Sequence, residues 1–267
     1  MPNLPGGPAG PGERDRALSE VIGYILVFSL IFLTVGFVSI NGLPTLDSAK
    51  QSEQTKNAER AFDILENNLA EIYGQGAPSR ATEISAETGA VELRDPVVMN
   101  VSVTEKSSGN VTFERSVINP IAFTGLGDTE YVYAGGAVFR QVSGESFMLQ
   151  DPPIDFSDER GVVTVVRTFG NDGVSAGGAT VLVRASSTSR SVLAADTSLS
   201  DNRYEQLTIN ITGSPRQDTW QEFFESELPD PNCTTPGDSL NCVVDLDGEG
   251  VRQTFVTVQE IRVALEI

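Results

Sequence analysis

The sequence contains no histidine. That absence removes Ser-His-Asp and Cys-His nucleophilic sites, imidazole-ligated zinc and imidazole proton shuttles. Lysine is nearly missing too, with Lys50, Lys56 and Lys106 the whole supply. Against 18 Lys plus Arg stand 37 Asp plus Glu, and the net charge is −19. This balance argues against nucleic acid as a partner, since binding it takes a basic stripe that displaces counterions from phosphates. Anionic lipid is an equally poor match for the globular part. An acidic, lysine-poor surface suits concentrated salt, where the screening length falls to about 3 Å at 1 M and self-repulsion is quenched. Carboxylate-pair hydrolases survive the lack of histidine, because two acids do that chemistry alone. No spacing in the chain singles out such a pair, so the expectation is a protein that is not an enzyme and carries no cofactor or metal.

Charge is also absent from one long stretch, Val21 to Ile40, which reads VIGYILVFSLIFLTVGFVSI. Twenty helical residues rise about 30 Å, the thickness of a bilayer's hydrocarbon core. A secretory signal core would be shorter and followed by a small-residue cleavage site, whereas Asn41-Gly-Leu-Pro44 follows here. The reading is a retained membrane helix over residues 17–42. Arg14 and Arg16 precede it, and by the positive-inside rule they place the N-terminus in the cytoplasm. Residues 1–16 form a Gly- and Pro-rich leader unable to pack as a domain.

The segment Arg14-Asp-Arg-Ala-Leu-Ser-Glu-Val-Ile-Gly23 resembles the N-terminus of archaeal type IV pilins and related archaellin-like proteins. There a charged leader precedes a Ser-x-Val-Ile-Gly apolar helix, and the likeness runs over about residues 14–36. It implies trimming by a prepilin-type peptidase on the cytoplasmic side, with the helix retained. A cut between Asp15 and Arg16 makes Glu20 the fifth mature residue; a cut between Arg16 and Ala17 makes it the fourth. The resemblance also implies that Glu20 meets the N-terminal amine of a neighbouring subunit.

Past the Gly42/Pro44 interruption, residues 43–75 are expected to form an amphipathic stalk, so that the helix as a whole is broken. Ala58, Ala61, Phe62, Leu65, Leu69 and Ile72 fall on one face of it. From residue 76 to 267 the pattern turns to period two, as in Val97, Met99, Val101 and Val103. Val162–Val166 and Thr180–Val183 are apolar on both faces and belong inside a covered sheet. The run from Val256 to Ile267 switches parity, which predicts a bulge near Gln259-Glu260 or a break into two strands. One helix, Pro215 to Glu227, interrupts the strands and carries Trp220, Phe223 and Phe224 on its inner face. Tyr131 to Arg140 reads as strand, turn, strand. Asp245-Leu-Asp-Gly-Glu-Gly250 holds half of a calcium loop's acids without the closing glutamate, and hairpin chemistry suits it better.

Cys233 and Cys242 are the two cysteines, nine apart across a Pro-Gly turn. A bridge closing so short a loop contributes about 2–3 kcal/mol; two reduced thiols are the other arrangement. Their place beyond the apolar helix favours the bridge and an oxidising exterior. Four N-glycosylation sequons, at Asn100, Asn110, Asn210 and Asn232, point the same way. Asn100 and Asn210 are expected on polar strand faces.

Several blocks also resemble a haloarchaeal family that joins a pilin-like N-terminus to a β-rich ectodomain. They are Asn57-Ala-Glu-Arg-Ala-Phe-Asp63, Gly76-Ala-Pro-Ser-Arg80, Gly135-Gly-Ala-Val-Phe-Arg140, and Ser214-Pro-Arg216 with Trp220. This resemblance implies a surface location and supplies no activity. The expected fold class is α+β: a transmembrane helix, a broken amphipathic stalk helix, and a mainly antiparallel β-sandwich-like ectodomain. The expected function is a pilin-like surface protein, a (minor) subunit of a type IV pilus-like filament. The alternative is a solitary single-pass ectodomain for adhesion or envelope organisation. Expected partners are membrane lipid, the peptidase, and like subunits through the N-terminal helix.

Overall fold

A computed structural model describes residues 12–125, 128–157, 159–171, 175–196 and 203–267. By its internal contacts the chain divides into two compact units, residues 1–53 and 54–267. The first is helical throughout its described part. Helix α1 (Gly12–Gln75) begins in it and ends in the second unit.

The expected break at Gly42 and Pro44 does not occur, because helical backbone continues through both. Proline costs a helix interior about 3 kcal/mol and glycine about 1. The apolar run before the segment and the Ala-, Glu- and Gln-rich stretch after it are both helical and carry the helix across that penalty. Residues 1–11 of the expected leader lie outside the described residues.

The second unit is α+β and mostly antiparallel. One sheet has the order β1 (Ser79–Ser85), β12 (Thr180–Ala195), β16 (Gln253–Glu266), β10 (Arg160–Phe169), β9 (Ile154–Ser157). A second runs β11 (Ser175–Gly177), β2 (Ala90–Leu93), β5 (Ile121–Thr124), β6 (Thr129–Ala134), β7 (Ala137–Val142), β8 (Glu145–Gln150). The third runs β14 (Asn232–Thr234), β15 (Ser239–Asp245), β13 (Tyr204–Thr212), β3 (Val97–Glu105), β4 (Val111–Ile118). Helix α2 (Gln217–Glu227) follows β13. Among the described residues the one parallel pairing is β10 with β16.

Two hydrophobic cores organise this unit. One gathers the inner faces of β3, β13 and β15 with Trp220, Phe223 and Phe224 of α2. The other gathers Ala58, Phe62, Leu65, Leu69 and Ile72 of α1 with Tyr131, Tyr133, Val181 and Val183. Phe62 meets the Tyr131 ring at 6.0 Å between centroids. Each such buried side chain contributes about 1.5–3 kcal/mol of transfer free energy, so the spacing seen in the sequence translates directly into adhesion of the helix.

Strands between the cores contribute side chains to both of them. In β6, Val132 and Ala134 enter the first core while Tyr131 and Tyr133 enter the second. In β16, Val256 and Val258 serve the first core, and Ile261 and Val263 the second. The parity switch near Gln259 therefore marks a change of core. No residue is inserted there, since β16 pairs with β10 without interruption from Gln253 to Arg262. The irregularity sits on the neighbouring strand, where the register skips Thr188 opposite Glu260 and Ile261. Thr188 turns its hydroxyl to the Glu260 carbonyl at 3.1 Å.

The Tyr131–Arg140 reading holds: β6 and β7 form a hairpin around Gly135 and Gly136, at φ +63° and +95°. A two-residue turn with both centres at positive φ matches the strand twist and calls for glycine. A side chain on Gly136 would also collide with the Pro153 ring. The Asp245–Gly250 segment is a turn but not a hairpin. It links β15 to β16 in a different sheet, and the Asp245 carboxylate accepts from the Gly248 N–H at 2.9 Å. The two strands both reach the first core, but from different sheets, so the turn crosses between layers and closes no ladder.

Candidate functional site

The most unusual surface is Val21–Ile40. It is one apolar helical stretch of 20 residues, mean hydropathy 2.6, with none of its side chains buried. Val27, Leu30, Ile31 and Phe37 are all more than half exposed. The rings of Phe28 and Phe32 pack on each other at 4.8 Å along the helix. The Thr34 hydroxyl donates to the Leu30 and Ile31 carbonyls at 2.9 Å each, so that polar group is satisfied within the helix itself. Helical backbone satisfies its own amides, which is what a hydrocarbon solvent demands. The stretch is long and apolar enough to span a membrane, and a signal sequence near an N-terminus meets the same criteria. Asp15, Arg16, Ala17 and Glu20 fall within α1, but their side chains lie outside the described residues.

The second unit carries the other candidate residues. Cys233 and Cys242 form a disulfide and stand directly opposite each other on β14 and β15, with Cα atoms 4.1 Å apart. Asn100 and Asn210 also face each other, on β3 and β13, strands with neighbours on both sides. Asn100 Nδ2 donates to Asn210 Oδ1 at 3.1 Å, and Asn210 Nδ2 donates to the Leu240 carbonyl at 3.1 Å. The Thr212 hydroxyl donates to the same Asn210 oxygen at 3.2 Å. By contrast Asn110 and Asn232 are exposed, one in the turn before β4 and the other on edge strand β14.

A polar seam runs along α1 where it meets the second sheet. Glu59, Asp63 and Glu66 line one flank; the first and second stand in the Asn57–Asp63 block, and none was expected to be a site residue. The Tyr131 hydroxyl donates to Glu59 at 3.0 Å, the Tyr73 hydroxyl to Glu66 at 3.1 Å, and the Gln150 amide to Asp63 at 3.4 Å. Burial raises the Glu66 carboxyl above its ordinary value, partly opposed by the Tyr73 hydrogen bond. Burial, with the nearby carboxylates, also holds the Tyr73 and Tyr131 phenols above theirs. The signal for this seam was the i, i+4, i+7 spacing of three acids beside an apolar stripe, legible only once the facing tyrosines are known.

The sequence blocks around Gly135–Arg140 and Ser214–Trp220 converge on one side chain, Phe139. Trp220 meets its ring edge-on at 5.3 Å, and the buried Arg216 guanidinium lies over it at 5.7 Å. Glu130 faces Arg216 at 3.6 Å and bonds Arg94 at 2.6 Å. Cation, ring and carboxylate thus lock the first core's rim, beside a cavity of about 10 Å³ that Phe139, Arg216 and Trp220 help to line. A surface cleft of about 450 Å³ is lined by Leu93, Phe169, Asn171 and Arg262 among others, with no carboxylate among its described lining residues. Two open grooves each carry two acids, Asp151 with Glu222 and Glu227 with Glu249. Among the described residues no three His, Cys, Asp or Glu side chains cluster as a metal site would require.

The chain matches a family of unknown function (DUF7289) over residues 16–264 and belongs to that family. No curated protein and no solved structure matches it.

Proposed function

We propose that this protein is a pilin-like, single-pass surface protein, held in the cell membrane by Val21–Ile40 with its β-rich head outside. The observation that carries the reading is the apolar stretch itself, 20 residues with no buried side chain. A bridged cysteine pair in the head supports the oxidising side of the membrane. In this reading residues 43–75 act as a stalk, the three sheets make a sandwich-like head, and the role is assembly, not catalysis. The Arg14–Gly23 segment makes the N-terminal helix the surface through which like subunits meet, after a prepilin-type peptidase removes the leader. High-salt habitat and archaeal origin belong to the same reading, from the acidic, lysine-poor composition and the likeness of that segment.

Mass determination of the mature N-terminus, combined with isolation of surface filaments, tests it. The expected result is a chain beginning at Arg16 or Ala17 that sediments with filaments. A trimmed or untrimmed chain that stays membrane-bound and never enters filaments makes it a solitary anchored ectodomain. Loss of the whole apolar helix by signal cleavage would overturn the anchor.

A further inference from the structure

The four sequons occupy different structural settings, and one of them adjoins an unexplained surface. Val111 and Phe113 on edge strand β4 are 60% and 56% exposed, unusual for large apolar side chains. Their partners across the ladder, Thr104 and Ser102, show that both point to the outer face of the third sheet. An open edge with apolar side chains invites pairing with another chain, and proteins cover or charge such edges. Val111 is the middle residue of the sequon Asn110-Val-Thr112, and Phe113 follows it.

We propose that Asn110 carries an N-linked glycan that covers the Val111–Phe113 edge, while Asn100 and Asn210 stay unmodified. This rests on the head lying outside the membrane. The turn holding Asn110 is fixed through its backbone: Glu105 N–H donates to the Asn110 carbonyl at 2.9 Å, and Asn110 N–H donates to Ser108 Oγ at 3.1 Å. Its side chain is exposed, so Nδ2 and the Thr112 hydroxyl are both open to a transferase. In the transfer, Asn110 Nδ2 attacks C1 of a sugar activated as a lipid-linked phosphate ester. The N–C1 bond forms, the C1–O bond breaks with its electron pair leaving on the lipid phosphate, and Nδ2 gives up one proton. At Asn100 and Asn210 the same nitrogen is the donor in a hydrogen bond between interior strands, and a sugar there would wedge into the flat sheet face. Asn232 is exposed as well, but the β14 ladder and the Cys233 bridge pin it in extended backbone, so the turn at Asn110 is the better acceptor. A bulky, hydrated glycan at Asn110 would supply the cover that the edge lacks.

The test uses the full-length chain produced in a cell that performs N-glycosylation, with glycopeptide mass mapping. The expected result is a glycan mass on the Asn110 peptide and unmodified Asn100 and Asn210. Asn110→Gln removes one glycan mass from the intact protein and increases self-association at equal concentration. Protease accessibility on intact cells, run in parallel, reports the side of the head. A head outside with bare Asn110, or with glycan on Asn100 or Asn210, overturns this inference alone. A head inside the cell overturns it together with the surface reading.

Discussion

Helix α1 contains two apolar segments that solve opposite problems. Residues 21–40 are apolar on every side and bury nothing; residues 58–72 are apolar on one side and bury all of that side except the half-covered Ala61. The second segment has a protein partner, so its other faces keep Glu59, Asp63, Glu66 and the exposed Ile64. The first buries none of its side chains among the described residues and has no polar face to offer water. A helix with one apolar stripe specifies a packed neighbour on that side, and one apolar all round calls for an apolar environment on every side. On the proposed reading the difference is one of solvent, written in the angular distribution of side chains.

The comparison can be broken most severely on the packed side. Phe62 is fully buried, and Phe62→Ala is expected to destabilise the head by about 3–5 kcal/mol through lost burial and the cavity left behind. Urea unfolding followed by tryptophan fluorescence measures it, and the fraction recovered in washed membranes stays unchanged. The converse break is Leu30→Arg. A cation at the centre of a membrane helix costs about 3 kcal/mol relative to leucine, so membrane retention falls while the urea midpoint of the head stays put. A result in which either substitution moves both readouts equally would mean the two segments do not serve separate environments.

A smaller change sharpens the packed side. The Glu66 carboxyl titrates above its ordinary value of 4.5 in the folded chain because burial penalises its charge. The folded state then binds more protons than the unfolded one between those two values, so stability falls as pH rises through that window. Glu66→Gln keeps an acceptor for the Tyr73 hydroxyl and removes the charge. It is expected to flatten that slope and leave neutral-pH stability equal or slightly raised, read from urea midpoints at pH 4 and pH 7.

Much of this was legible in the sequence. The buried stripe of α1 and the strand alternation of β3 were readable because burial follows local periodicity. The disulfide was readable from two cysteines with no others to choose. The features that escaped are non-local. A parity change in Val256–Ile267 looks the same whether a residue is inserted or the strand moves from one core to another, and only the second core, partly built by α1, decides between them. Asp245–Gly250 had hairpin chemistry, yet its flanking strands belong to different sheets, which no local pattern encodes. Pro44 was a fair signal for a helix end that the flanking residues outweighed. Of the surface sites, sequons were visible as strings, but the Asn100–Asn210 hydrogen bond that separates them from Asn110 needed the strand register.

The placement of β16 has a consequence for how the molecule is made. It is the last of the described strands in chain order, yet it lies in the middle of its sheet, between β12 and the parallel β10 some ninety residues earlier. A chain delivered from its N-terminus therefore emerges with β10 and β12 held apart by a missing strand. Both cores stay open until residues 253–266 arrive, since Val256, Val258, Ile261 and Val263 close one and then the other. Such long-range closure is slow and leaves apolar strands exposed meanwhile. In the synthesis of this unit, residues 253–266 are therefore the segment that closes both cores, and a helper that shields strands would act before they arrive.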